Sequence, residues 1–435
     1  MTLKVISCLT SGRVSGVDVF ATHLTRGLRS LGVDASILLT EPDEQVPDPM
    51  RLPVDIPVAV LPVQPRDSGR TRRRTLFAYL ESQAPCIYIP NYDYRHSIVS
   101  ARVSDKVTVV GIVHSDDPMH YDHVVRLGKY WNAVVAVSPT IARKSTVLEK
   151  NIADRVFTIP YGIHPPARFP KRDHNASAPL RIIYAGRLEQ NQKRVMDFPK
   201  ILDELERRGV PVRLMLVGSG PSFKDLVDLS ERHLDAGRLT ILSTMPNHEM
   251  VNLYEGSDVF LLTSNFEGLP MSMLEAMSHG CVPVVSDIES GIPEVIENGQ
   301  NGFRVPVGDI RGYADRLEQL QRDSALRHHL SRRAHDTIIE KDYSVERMAR
   351  QYAELFERLH HQSQAGQFRR PRAFYGEPMV RKLLLQAERK VRRIWQGTSS
   401  QVLTSNVLDL LRRPGAAAIP TEAESNQRSG RRSDY

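Results

Sequence analysis

The stretch Ser264-Asn265-Phe266-Glu267-Gly268-Leu269-Pro270-Met271-Ser272-Met273-Leu274-Glu275-Ala276-Met277-Ser278-His279-Gly280 places two carboxylates, Glu267 and Glu275, on either side of a strand-to-helix turn. Before it, Val259-Phe260-Leu261-Leu262 is a short apolar run of the kind that forms a buried strand, and Val282-Pro283-Val284-Val285 after it is another. Gly268 and Pro270 keep the intervening helix from starting before about residue 270, since proline is best tolerated in a first helical turn. Glu267 is therefore expected on the loop at the strand's carboxyl end, and Glu275 more than a turn into the helix. The unbonded backbone N–H groups around Gly268, Leu269 and Met271 would face the crevice and favour an anion. A phosphate at the helix mouth, with a carboxylate on either side to bind hydroxyls, describes a nucleotide-sugar pocket.

Outward from this stretch, strand-like runs alternate with helical patterns through the first 360 residues, which argues for α/β architecture with parallel sheets. In the first half, strands are expected near Val5-Ser7, Ala35-Leu39, Ile87-Ile89, Val107-Ile112, Val134-Val137 and Val156-Ile159. In the second they are expected near Arg181-Ala185, Val212-Val217, Leu239-Leu242, Val259-Leu262 and Val282-Val285. Val17, Phe20, Leu24, Leu28 and Leu31 give the first helix its apolar face, and Gly32 ends it. Ile163 to Ala178, rich in proline, histidine and charge, is expected to link two similar halves. The spacing thus predicts two Rossmann-like domains facing a cleft, residues 1–165 and 179–342, with ligands at the carboxyl ends of the strands.

The chain has 435 residues and a net charge of +7, and residues 361–435 hold 14 Lys and Arg against 6 Asp and Glu. Basic character therefore belongs to the C-terminal tail and not to the body. Within the tail, Pro378 to Gln396 is expected to form a helix with an apolar stripe among basic residues, and the segment from Pro414 onward to be disordered. Such a tail suits a solvated extension or peripheral contact with a membrane surface, whereas no recognised nucleic-acid module accompanies it. Three cysteines, Cys8, Cys86 and Cys281, show neither disulfide nor metal spacing. No apolar run reaches the ~18–20 residues of a membrane span, and Met1-Thr2-Leu3-Lys4-Val5-Ile6-Ser7 leads straight into a strand. A cytoplasmic protein, in peripheral contact at most with the inner membrane face, is the expectation.

Glu267-Gly268-Leu269-Pro270, then Glu275-Ala276-Met277, then Gly280-Cys281-Val282-Pro283-Val284-Val285 together resemble the Glu-x7-Glu signature of retaining glycosyltransferases with the GT-B fold, in particular family 4. The resemblance covers roughly residues 3–360 and implies a crossover helix over 343–360 that returns to the N-terminal domain. It implies transfer of a hexose from a nucleoside-diphosphate sugar to a hydroxyl of a glycan, lipid-linked or small-molecule acceptor. Glu275 would bind the donor ribose, and Glu267 the transferred sugar. Arg187 and Lys193, with the amides of Gly268 and Leu269, would hold the diphosphate. His114 would contact the sugar, often at its 6-hydroxyl. Gly16 matches the second of two adjacent glycines that let backbone approach a phosphate or acceptor, with Ser15 standing in place of the first. The loop of Thr244, Met245 and Pro246 would hold the base. With no Asp-x-Asp and no metal-ligand spacing in the sequence, neither metal nor cofactor is expected to be required. A sugar-phosphate synthase, for which Arg70, Arg72, Arg73 and Arg74 could hold an acceptor phosphate, a nucleotide-sugar epimerase and an inactive nucleotide-sugar-binding subunit stay open.

Overall fold

Short apolar runs in an α/β chain bury both faces when they pair in parallel, and here they pair into two all-parallel sheets. The computed structural model describes residues 3–10, 15–41, 55–91, 93–170 and 178–367. The chain divides into Met1–Glu377 and Pro378–Tyr435. The second unit, with the helix expected over Pro378 to Gln396 and the segment from Pro414, lies outside the described residues.

The N-terminal sheet comprises β1 (Lys4–Leu9), β2 (Asp34–Leu39), β3 (Val58–Val60), β4 (Cys86–Ile89), β5 (Val107–Val113), β6 (Ala133–Ala136) and β7 (Val156–Thr158), in spatial order β3-β2-β1-β4-β5-β6-β7. The C-terminal sheet comprises β8 (Leu180–Ala185), β9 (Val212–Val217), β10 (Leu239–Leu242), β11 (Val259–Leu262), β12 (Val282–Ser286) and β13 (Phe303–Val305), ordered β10-β9-β8-β11-β12-β13. Every residue of β5 and of β11 is buried. The order reverses beside β1 in one sheet and beside β8 in the other, which opens a crevice at the carboxyl ends of β1 and β4, and of β8 and β11. Two strands went unforeseen, β3 and β13. Both are three-residue edge strands.

The helix Met271–Ser278 begins where the proline places it: Pro270 is the N-cap, and its carbonyl accepts from the Met273 N–H at 3.1 Å. Gly280 (φ 77°) then turns the chain into β12, a conformation that favours glycine.

The two halves meet through backbone. An isolated bridge pairs Ser115, after β5, with Gly268, after β11, and the Asp116 N–H donates to the Glu267 carbonyl at 3.1 Å. Lys144 extends this contact by pairing with Asp116 at 2.7 Å and with Glu289 at 3.2 Å. On the return path, the Ile163 N–H donates to the Tyr343 carbonyl and the Val345 N–H to the Ile163 carbonyl, so the chain leaves and re-enters the N-terminal half side by side.

The returning helix spans Val345–Gln364, capped by Ser344, and runs past 360 into residues expected to belong to the tail. It buries Val345, Met348, Ala349, Tyr352, Phe356 and Leu359, an i, i+3, i+4, i+7 stripe, against the first helix, Gly16–Ser30. Gly27 is the point of closest approach: a Cβ there would lie 2.6 Å from the Ala349 Cβ. Replacing Gly27 with alanine sets two effects against each other. Helix propensity favours alanine by about 1 kcal/mol, while overpacking costs about 1–3 kcal/mol. Neither methyl can swing aside, so packing wins, and the urea midpoint of Gly27→Ala is expected to fall by about 1 kcal/mol equivalent. Adding Ala349→Gly should recover part of that loss, and a raised midpoint in the single variant would show that the helices part without cost.

Candidate active site

A carboxylate removed from water needs compensation on the spot, and Glu267 (5% exposed) has it. Its Oε1 accepts from the Lys193 ammonium at 2.6 Å and from the Ser264 hydroxyl at 2.5 Å. Lys193 is the last residue of a short helix, Gln190–Lys193, just ahead of the helix that begins at Asp197. Its place is fixed by stitching to the end of β11. The Thr263 hydroxyl donates to the Lys193 carbonyl at 2.8 Å, the Asn265 N–H to the Gln192 carbonyl at 2.7 Å, and the Asn265 amide to the Asn191 carbonyl at 2.6 Å. Arg194 then turns left-handed (φ 51°), with its Nε on Asp197 at 2.7 Å. One cation and one anion, each mostly out of solvent, thus face one another at the crevice of the C-terminal sheet, able to donate to and accept from the hydroxyls of a bound sugar.

Arg187 follows β8 at the other lip of that crevice and is exposed. It donates to the Gln192 side chain at 3.0 Å, which ties it to the loop carrying Lys193. It also acts across the cleft on Asp117, whose carboxyl burial holds above its ordinary range while Arg187 pulls it down. Gly186 and Gly218 let their two loops touch, since a Cβ on Gly218 would come within 1.9 Å of the Gly186 carbonyl oxygen.

Gly268 also meets a packing constraint. It is buried, its carbonyl accepts from the Gly291 N–H at 2.6 Å, and a Cβ would fall 2.0 Å from the His114 carbonyl oxygen. Close approach of the two halves therefore requires glycine there, whatever its amide does for a phosphate. Leu269 is buried at 3% and belongs to the core. Glu275 lies on the helix Met271–Ser278, half-buried, and accepts from the Tyr254 hydroxyl at 3.2 Å. Burial, then Glu275, holds Tyr254 in its protonated form. Met245 packs half-buried beside Thr244, whose hydroxyl stands 3.1 Å from that of Ser219.

On the N-terminal side, His114 follows β5 and is 5% exposed. Its Nδ1 lies 2.7 Å from the Tyr161 hydroxyl and its Nε2 3.1 Å from Asn91 Oδ1. Burial drives its pKa down to about 3, so the ring is neutral. Gly16 opens the first helix, and nothing lies within 4 Å of where its Cβ would be. Ser15, read as a departure, is that helix's N-cap: it accepts from the Asp18 N–H and donates to the Asp18 carboxylate. Burial pushes the Asp18 carboxyl up to about 6.

The structure therefore joins Glu267 to Lys193, ties Arg187 to the same loop and sets Gly268 against His114. Glu275, Met245 and Gly16 stand on separate elements around them. Sequence reading passed over Ser264, Asn91 and Tyr161. Ser264 lay within the decisive stretch, three residues before Glu267, but Asn91 and Tyr161 carry no local signal. Among the described residues, no group of three His, Cys, Asp or Glu side chains is placed to hold a metal ion, and no helix is long and apolar enough to cross a membrane.

Residues 168–337 match the family model described as glycosyl transferases group 1. The chain is 32% identical over 200 residues to the putative colanic acid biosynthesis glycosyltransferase WcaL of Salmonella typhimurium, covering 44% of this chain and 48% of that one. It is 29% identical over 291 residues to N-acetyl-alpha-D-glucosaminyl L-malate synthase of Bacillus anthracis, covering 64% of this chain and 72% of that one. The match thus spans about half the length of the first relative. Among solved structures, the pneumococcal O-GlcNAc transferase GtfA, in complex with UDP and GlcNAc, superposes with a TM-score of 0.68 over 83% of this chain and 99% of that one, at 12% identity, a likeness of fold. Residues 168–337 thus resemble the group 1 glycosyl transferases, within a body that has the two-domain GT-B fold.

Proposed function

We propose that the chain is a retaining glycosyltransferase that moves a hexose from a nucleoside-diphosphate sugar to a hydroxyl acceptor, in cell-surface polysaccharide or glycolipid synthesis, without a metal. The observation that carries this reading is the buried Lys193–Glu267 pair at the crevice of the C-terminal sheet, directly across from His114. The match to the group 1 glycosyl transferases and the colanic acid relative support it.

In this reading Glu275 accepts from the ribose hydroxyls, and the loop at Met245 receives the base. Arg187 and Lys193, with the N-terminus of Met271–Ser278, stabilise the charge that builds on the diphosphate as the bond to the anomeric carbon breaks. Glu267 binds hydroxyls of the transferred sugar and offsets the positive charge developing on its ring. The acceptor oxygen attacks from the face the phosphate leaves. A new carbon–oxygen bond replaces the old one, and the acceptor proton passes to the departing phosphate oxygen. A phosphorylated acceptor is the less favoured alternative, because Arg72 is already paired with Glu41 at 3.3 Å and bonded to the Gln64 and Pro65 carbonyls.

Thermal unfolding against UDP-, GDP- and ADP-sugars, with and without magnesium, tests the donor pocket. A ligand at ~100 times its dissociation constant adds ~2.7 kcal/mol. One nucleotide is expected to stabilise the wild type without magnesium and to lose that effect in Glu275→Ala. Stabilisation by none would remove the pocket assignment. For the chemistry, Glu267→Gln should lower kcat by about 10²–10³-fold with the donor KM changed only a few-fold. An unaltered kcat would show that Glu267 serves the fold alone.

A further inference from the structure

Two neighbouring hydroxyls at the end of β11 fix the two members of the Lys193–Glu267 pair by different means. Thr263 and Ser264 are both at 0% exposure. Thr263 donates to the backbone carbonyl of Lys193, whereas Ser264 donates to the side chain of Glu267. A carboxylate oxygen only accepts, so the Ser264 hydroxyl at 2.5 Å and the Lys193 ammonium at 2.6 Å both give a hydrogen to Glu267. Both give it to Oε1. Such an oxygen has about two lone-pair sites, and these donors fill them. Oε2 accepts from none of the described residues, yet it is not sealed from solvent. The carboxylate is therefore held with one oxygen spent on the protein and the other open on the crevice beyond β11.

The two donors are not equivalent. Lys193 has further N–H groups and a side chain that is 16% exposed, so a diphosphate in the crevice can compete for it. Ser264 has a single hydroxyl hydrogen and is buried beyond the reach of a ligand. It also belongs to the same loop as Glu267, three residues before it, so closing this bond orders little extra chain. Whichever partner Lys193 takes, Ser264 keeps Oε1 in place.

We propose that Ser264 is a positioning residue that acts through Glu267, holding Oε1 so that Oε2 is the atom that reads the hydroxyls of the transferred sugar. With about two lone-pair sites left on that one oxygen, the carboxylate selects its sugar by a single hydroxyl or by an adjacent pair. The inference rests on the transferase reading and names the atom and the support through which it works. A serine present only to satisfy a buried charge would affect stability and leave sugar recognition alone.

Titration calorimetry on the full-length protein separates these roles. UDP-, GDP- and ADP-sugars are titrated beside free UDP, GDP and ADP, and the tightest-binding sugar is compared with its own diphosphate as a ratio of dissociation constants. In Ser264→Ala that ratio should shift against the sugar on the order of tenfold, while the diphosphate constant moves less than about twofold. In a Glu267→Ala background the same serine change should move the ratio less than about twofold, because no carboxylate is left to orient. Donors deoxygenated at one sugar position at a time give a second cycle that needs only the serine variant. At least one of them should bind wild type and Ser264→Ala alike. An unmoved ratio in a Ser264→Ala protein with a lowered melting temperature would make the serine structural only. An equal shift with and without Glu267, or a loss of affinity shared by every deoxy donor, would show that Ser264 does not act through that carboxylate. Binding of no nucleotide or nucleotide sugar by the wild type would instead remove the transferase reading, and this inference with it.

Discussion

Burying Glu267 is the constraint on which the site is arranged. A lone carboxylate in this position would be costly, and each neighbouring element contributes to offsetting it. Ser264 supplies a hydroxyl and Lys193 an ammonium, and the loop carrying Lys193 is bonded through Thr263 and Asn265 to the strand that delivers Glu267. The result is a neutral pair whose partners are set by backbone stitching instead of long, freely rotating side chains. Such a pair can exchange partners with sugar hydroxyls without creating an uncompensated charge.

Much of the framework was legible in the sequence because parallel strands buried on both faces leave runs that alternating patterns do not produce. β5 and β11 are the clearest cases, and the proline that caps Met271–Ser278 fixed the start of that helix. The edge strands β3 and β13 were not legible, for Pro57 and Pro62 flank the one and Arg304 interrupts the other. In the site, local motifs announced Glu267, Glu275, Arg187 and Lys193. The residues that set their geometry did not announce themselves, since Asn91 and Tyr161 reach His114 from sequence separations of 23 and 47 residues. Gly268 shows the converse: read as a phosphate-facing glycine, it is demanded by the carbonyl of His114 pressing from the other half.

The neutral histidine and the paired carboxylate have one physical logic. Both place strongly polar groups in a poorly hydrated cleft wall with their hydrogen bonds already assigned, so little reorganisation is left for the moment of reaction. Asp18 and Asp117 differ in that burial raises both carboxyls above their ordinary range.

The return of the chain at Ile163 and Val345 has a consequence for biosynthesis. The first helix, Gly16–Ser30, emerges early from the ribosome, but the helix that covers its apolar stripe lies about 320 residues downstream and follows it by roughly 15–60 s at ordinary elongation rates. During that interval Phe20, Leu24 and Leu28 have no final cover, while the C-terminal half, continuous in sequence, can fold as a unit before them. The N-terminal half, though made first, is therefore completed last, and a nascent chain halted between the two halves would present the surface that chaperones bind.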